Sequence, residues 1–176
     1  AGEILKIGIL FHSETGNTKK IAQNIYNHFE PEADIFNISQ VFPDSIVRYD
    51  YIFIGMPTHG DNLPEKFRNP KIWEILSGRE IALFFTHTTQ MTSYSPEKLL
   101  ENAKRIFDEQ NVIIKESWHC RGENKRVDIV EWLRIHQPDR YEQAFTAVGS
   151  PTEIDERNVI DWAKDILKSF SLEVKE

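Results

Sequence analysis

Three short stretches of this chain are apolar at every position: Ile7–Phe11 (IGILF), Tyr51–Gly55 (YIFIG) and Ile81–Phe85 (IALFF). A strand with one wet face alternates polar and apolar residues, whereas a strand covered on both faces has no reason to. Runs of this length are too short for most helices, and each is followed by a polar or proline-containing break. They read as central strands of a parallel sheet. Parallel neighbours cannot be joined by a hairpin, so the connecting segments should carry the helices that cover the two faces.

The intervening sequence supplies those helices. Ile21, Ala22, Ile25 and Phe29 recur at helical spacing after the first run. Ile72, Ile75 and Leu76 do so before Gly78, a residue suited to ending a helix, while Pro64 suits the first turn of a short helix and Pro70 interrupts that pattern. Leu99, Leu100, Ala103, Ile106 and Phe107 form a stripe after Pro96, and Ile160, Ala163, Leu167 and Phe170 form another near the end. Ala33–Ile38 alternates weakly, as a second strand would, and Val112, Ile113 and Ile114 open a fifth that runs to about Trp118. Residues 121–150 show only a mixed helical pattern around Val130 and Leu133. The whole is an α/β doubly wound arrangement, read as a single domain over 1–176 with an additional segment of undefined structure at about 121–150.

Charge and composition narrow the function. Twenty-one Lys and Arg against 28 Asp and Glu give a net charge of −7, which disfavours nonspecific attraction to nucleic acid or to an anionic membrane. No apolar run approaches the roughly 18 residues needed to cross a bilayer, and Ala1-Gly2-Glu3-Ile4 has no basic, cleavable leader pattern. The single cysteine, Cys120, excludes an internal disulfide framework. These features together read as cytoplasmic.

Sheets of this type bind ligands beyond the carboxyl ends of their strands, where strand order reverses. Polar loops follow three of the runs. Ser13-Glu14-Thr15-Gly16-Asn17-Thr18 lies between the first strand and its helix, where unpaired amides and the positive end of the helix dipole suit a phosphate. The plain alternative is an N-cap whose short hydroxyl and amide side chains satisfy the helix itself. Pro57-Thr58-His59-Gly60-Asp61-Asn62 follows the third strand and Thr86–Ser95 the fourth.

Two of these loops carry a family pattern. Ser13–Thr18 resembles the flavodoxin phosphate loop, (S/T)-x-T-G-x-T, and Pro57-Thr58-His59-Gly60 is similar to that family's P-T-x-G loop. The resemblance implies a flavodoxin-like fold with a five-stranded parallel sheet of order 2-1-3-4-5, helices on both faces and FMN at the switch point, the arrangement for which flavodoxin is the standard example. It implies that Ser13, Thr15, Asn17 and Thr18, with the amides from Glu14 through Gly16 to Thr18, hold the FMN phosphate. Pro57, Thr58, His59, Gly60 and Asp61 would line one side of the flavin ring, His59 standing where the family commonly has Trp. Thr86, His87, Thr88, Thr89, Gln90 and Tyr94 would line the other, Thr88-Thr89-Gln90 resembling the family's G-D-Q turn. The Gly60–Asp61 carbonyl would meet the flavin N5.

Other chemistries fit the same positions less well. A P-loop needs its Lys inside the glycine-rich loop, whereas Lys19 and Lys20 follow Thr18, and no G-x-G-x-x-G follows the first strand. Phe11-His12 and Met56-Pro57 stand where a receiver domain keeps acidic residues. His119 and Cys120 are adjacent on a strand and point to opposite faces, poor geometry for one metal ion. Trp73, Trp132 and Trp162 sit in helical patterns and read as core. The resemblance therefore implies a noncovalent FMN electron carrier, favoured over a free-standing enzyme, that serves redox partner proteins with a basic docking surface. An NAD(P)H-dependent quinone or flavin reductase of the same fold is the alternative, and a flavin-free interaction module the third.

Overall fold

A computed structural model describes residues 5–40, 43–58, 63–68, 70–88 and 96–173. His59, Gly60, Asp61, Thr89, Gln90 and Tyr94 lie outside the described residues, and so does the expected carbonyl contact at Gly60–Asp61.

The apolar runs form the middle of one parallel sheet. Its strands are β1 (Ile7–Phe11), β2 (Ala33–Asn37), β3 (Tyr51–Pro57), β4 (Glu80–His87) and β5 (Ile113–Arg121), in the order β2-β1-β3-β4-β5. Pairing is parallel throughout, with Ile9 opposite Phe53, Phe53 opposite Ala82 and Phe84 opposite Trp118. Between Ile81 and Ala82 the register with β5 shifts, Ile114 pairing with the first and Glu116 with the second. The helices are α1 (Asn17–Phe29), α2 (Pro43–Ile46), α3 (Pro70–Leu76), α4 (Pro96–Glu109), α5 (Val127–His136), α6 (Pro138–Thr146) and α7 (Glu153–Glu173).

Alternation along the buried strands divides the core in two, as a sheet with side chains on both faces requires. Ile52, Ile54 and Met56 of β3 join Ile81, Leu83 and Phe85 of β4 beneath Trp73, Leu99 and Phe107. Phe53 and Phe84 face the other way, against Ile21 and Ile25 of α1 and Val159 and Ala163 of α7. Gly55 allows this second packing, because a Cβ there would lie 2.2 Å from the Phe84 ring. After α3 the chain turns at Gly78 with φ +83°, a left-handed conformation that glycine adopts without the Cβ clash.

Several boundaries differ from the sequence reading. α1 starts at Asn17, so Asn17 and Thr18 occupy the first helical turn and not the loop, since Gly16 at φ +99° completes the turn before them. The turn expected at Pro64 is a single 3-10 turn, Glu65–Arg68, and α3 begins at Pro70 instead of being interrupted there. β4 continues through Thr86 and His87, and β5 continues to Arg121 because its pairing with β4 extends to His87–Arg121. The mixed segment resolves into the α5–α6 pair, with Val130 and Leu133 both on α5. Trp73 is buried and Trp162 packs at the edge of the α7 core, but Trp132 is 50% exposed. Its ring lies tilted against that of His136, one turn further along α5, with centroids 4.9 Å apart. Its helix buries no residue fully, so it has no core to join.

Candidate functional site

β1 delivers its chain to the switch point and then leaves the sheet. His12 N still donates to Gly55 O at 2.9 Å, after which the backbone turns over Ser13–Gly16 into α1. The Ser13 hydroxyl accepts from Gly16 N at 3.1 Å and so closes the turn. Gly16 is the N-cap residue, left-handed and without a side chain to cap the helix, and no acid occurs in the first turn. The first amides of a helix have no acceptor within it, so this end keeps both its unpaired donors and its partial positive charge.

Thr18 and the Asn17 amide nitrogen, at the start of α1, reach across to other elements. Thr18 Oγ1 lies 3.0 Å from Thr86 Oγ1, and both residues are buried, so this pair ties α1 to β4. The Thr18 hydroxyl is thus shared with Thr86, and either of the two can be the donor. Asn17 Nδ2 donates to Glu123 O at 2.7 Å, and Asn17 Oδ1 is buried without a partner. The N-cap alternative weighed from the sequence holds only in part: the Ser13 hydroxyl meets the Gly16 amide, whereas neither Asn17 nor Thr18 spends its side chain on the helix amides.

Glu14, Thr15 and Asn17 line a cavity of about 410 Å3 together with Pro57 and Thr58 from the end of β3 and Thr86, His87 and Thr88 from the end of β4. Thr58 N donates to Thr86 O at 3.2 Å, which holds those two strand ends together. Of the residues expected at the site, these eight share one crevice. Ser13 and Gly16 shape the loop behind it, and Thr18 is packed beneath.

A third wall comes from the segment after β5, which the sequence reading did not assign to the site. Gly122, Glu123 and Arg126 face the cavity, as do Ile129 and Leu133 of α5 and Arg140 of α6. Gly122 N donates to His87 O at 2.8 Å, and the Thr88 hydroxyl donates to Gly122 O at 3.0 Å. A Cβ on Gly122 would lie 2.6 Å from Asn17 Nδ2, so the segment can cross the phosphate-type loop this closely only as glycine. Arg121 ties the end of β5 to the end of β4 and to α6: its guanidinium donates to Thr88 O at 3.0 Å, to Gln143 O at 2.7 Å and to the Thr146 hydroxyl at 3.1 Å. The available signal for these residues was position alone, since they follow the carboxyl end of a strand next to β4.

Charge around the crevice is mixed. Glu14 and Glu123 line it together with Arg126 and Arg140, and Arg126 pairs with Asp128 at 3.0 Å, which holds that exposed carboxyl below its usual range. On the α4 side of the sheet, His87 Nε2 lies 2.9 Å from His119 Nδ1, and the His119 ring stacks on Phe85. Burial pushes the His119 imidazolium toward deprotonation. Cys120 faces the opposite side, within the core beneath α7, and burial pushes its thiol well up.

The same fold recurs among known proteins. A family model described as a flavodoxin domain matches residues 8–143. The chain belongs to the flavodoxin family. The flavodoxin-like domain-containing protein BilS of Clostridioides difficile (strain CD3) is 29% identical over 178 residues, which cover 96% of this chain and 99% of that protein. A flavodoxin of Klebsiella pneumoniae is 30% identical over 112 residues, 58% of this chain and 64% of its own. Among solved structures, general stress protein 14 of Treponema denticola, crystallised in complex with FMN, superposes with a TM-score of 0.58 at 11% identity, covering 92% of this chain and 98% of that one. That likeness is one of fold. The family assignment rests on the sequence match, and the order β2-β1-β3-β4-β5 expected from the two loop motifs is the order found.

Proposed function

We propose that the crevice holds FMN and that the chain works as a flavodoxin-type electron-transfer protein. The observation that carries this reading is the uncapped, acid-free start of α1 opening into a cavity of about 410 Å3 in a member of the flavodoxin family. The residues fit the group. The α1 amides face where a phosphate is needed, and Thr15 lines the cavity beside them. The buried Asn17 Oδ1 lacks a donor, which a ligand hydroxyl or a bound water supplies. Thr58, Thr86 and Thr88 edge the space left for the ring.

FMN, when bound, supplies the capacity to accept and release electrons that no side chain has. The protein's part is to bind, orient and shield it. The Thr18–Thr86 pair fixes α1 against β4, the Thr58–Thr86 backbone bond fixes β3 against β4, and the Gly122 contacts close the third side. With a net charge of −7, the chain is complementary to redox partners that present a basic surface.

A second reading has an observation of its own. Ile129, Leu133, Arg126 and Arg140 make an apolar and cationic wall of the kind a substrate-enclosing reductase would use. Stepwise anaerobic reduction of the FMN-loaded protein, monitored by absorption, separates the two. A carrier resolves two one-electron steps with dithionite and consumes negligible NAD(P)H alone. A single two-electron step with rapid NAD(P)H oxidation makes the protein a reductase.

A further inference from the structure

The hydroxyl loop brings no cation of its own to an anion. Lys20, on α1 just beyond it, is committed elsewhere, with Nζ 2.9 Å from Pro151 O and 3.3 Å from Glu156. Meanwhile Glu14 and Glu123 both face the crevice, in a chain whose net charge is already −7. A phosphate dianion placed there meets like charge from two sides; of the two arginines that also line the crevice, Arg126 pairs with Asp128 and Arg140 stands on α6.

The segment after β5 brings a cation across. Asn17 Nδ2 donates to Glu123 O at 2.7 Å and the Gly122 backbone lies against the same side chain, so residues 122 and 123 are held on the loop. Two residues later, Lys125 Nζ lies 3.9 Å from where a Cβ on Gly16 would stand. Lys125 is exposed, and among the described residues its side chain has no ion pair or hydrogen bond. The ammonium thus sits over the N-terminus of α1, and among the described residues no carboxylate pairs with it.

We infer that Lys125 is the counter-charge to the FMN phosphate, reaching over Gly16 from the β5–α5 connection, and that it sets the preference for FMN over unphosphorylated riboflavin. This rests on the FMN reading above. It gives the connection a part in cofactor selection that neither loop motif contains. Because the charge arrives from outside the loop, it acts as a point charge on a flexible stem and not as part of the amide cradle.

The test is flavin affinity by fluorescence titration of the apoprotein at low and high ionic strength. Lys125→Gln should weaken FMN about tenfold at low salt, equivalent to about 1.4 kcal/mol, and leave riboflavin unchanged. Lys125→Arg should restore FMN affinity, and the wild-type advantage should shrink at high salt as the charge is screened. Lys164→Gln, on exposed α7, controls for net charge and should have no effect. The apoprotein melting temperature should be the same in all variants, because the Lys125 side chain has no internal contact to lose. Unchanged FMN affinity in Lys125→Gln, or equal loss for both flavins, overturns the role of the lysine while FMN binding stands. A wild-type protein that binds FMN no better than riboflavin overturns the phosphate reading and this inference with it.

Discussion

Gly122→Ala tests how tightly the β5–α5 connection is built onto the phosphate-type loop. The new Cβ would stand 2.6 Å from Asn17 Nδ2, 3.0 Å from its Cγ and 3.2 Å from its Cβ. Rotating the amide away relieves the closest contact but leaves the Cβ approach. It also breaks the 2.7 Å hydrogen bond to Glu123 O. Overpacking a well-filled position costs about 1–3 kcal/mol, and rotating Asn17 to relieve it exchanges part of that for a lost hydrogen bond of about 0.5–1.5 kcal/mol, so the net cost is about 1–3 kcal/mol. For a chain of this size that is a fall in melting temperature of roughly 2–12 °C. Asn17 also lines the crevice at the head of α1, so FMN affinity should fall with stability. Gly78→Ala is the matched control. It meets nothing within 4 Å, but its φ of +83° penalises any side chain, by about 1–2 kcal/mol. It should therefore lower the melting temperature and leave FMN affinity unchanged. Thermal unfolding and flavin titration of both variants decide the matter. A Gly122→Ala protein with wild-type stability and affinity would refute the close crossing of the connection over Asn17.

Further outcomes follow from other contacts. Thr18→Val leaves the buried Thr86 hydroxyl without its 3.0 Å partner and should cost about 1–3 kcal/mol; the double variant Thr18→Val/Thr86→Val should recover part of that loss in a thermal or urea cycle, and strict additivity would show that the hydroxyls do not interact. Thr15→Ala should weaken FMN much more than riboflavin, and equal loss in the two titrations would show that this residue does not serve the phosphate. The Cys120 thiol, buried and with its pKa pushed up, should be inert to a thiol-specific chromogenic reagent at pH 8 until the protein is unfolded; prompt labelling of the native state would contradict its placement beneath α7. Burial lowers the His119 pKa below its ordinary 6.5, so the unfolded chain binds the extra proton first. Stability from this group is complete above about pH 6.5 and is lost as pH falls toward the lowered folded value. The melting temperature of His119→Phe should accordingly fall less between pH 7.5 and 5.5 than that of the wild type, and parallel falls would remove His119 as the cause.

The parts of this molecule that were legible from the sequence are those where burial is complete on both faces. β1, β3 and β4 announced themselves because every residue of their runs is apolar, and the faces they bury are those the helical stripes of α1, α4 and α7 cover. The strand order came from two loop motifs and not from periodicity, since Ala33–Asn37 and Ile113–Arg121 are edge strands with partly exposed patterns. The eight crevice residues read from Glu14 to Thr88 lie together because strand ends in a parallel sheet converge. The third wall was illegible for a physical reason. α5 buries no residue fully and exposes Trp132 and Ile135, so its apolar residues do not form the single stripe that marks a core-facing helix. The N-cap alternative was likewise undecidable from residue types, because Asn17 and Thr18 could cap α1 or could reach Glu123 and Thr86, and only the fold brings those partners near.

Binding of FMN, riboflavin and FAD to the wild-type apoprotein, compared by calorimetric titration in one low-salt buffer, bears most directly on the central claim that a phosphate sits at the start of α1. FMN should bind most tightly, riboflavin should be weaker by at least about tenfold for want of the phosphate, and inorganic phosphate should compete with FMN but not with riboflavin. Equal affinity for FMN and riboflavin, with no effect of phosphate, would contradict it.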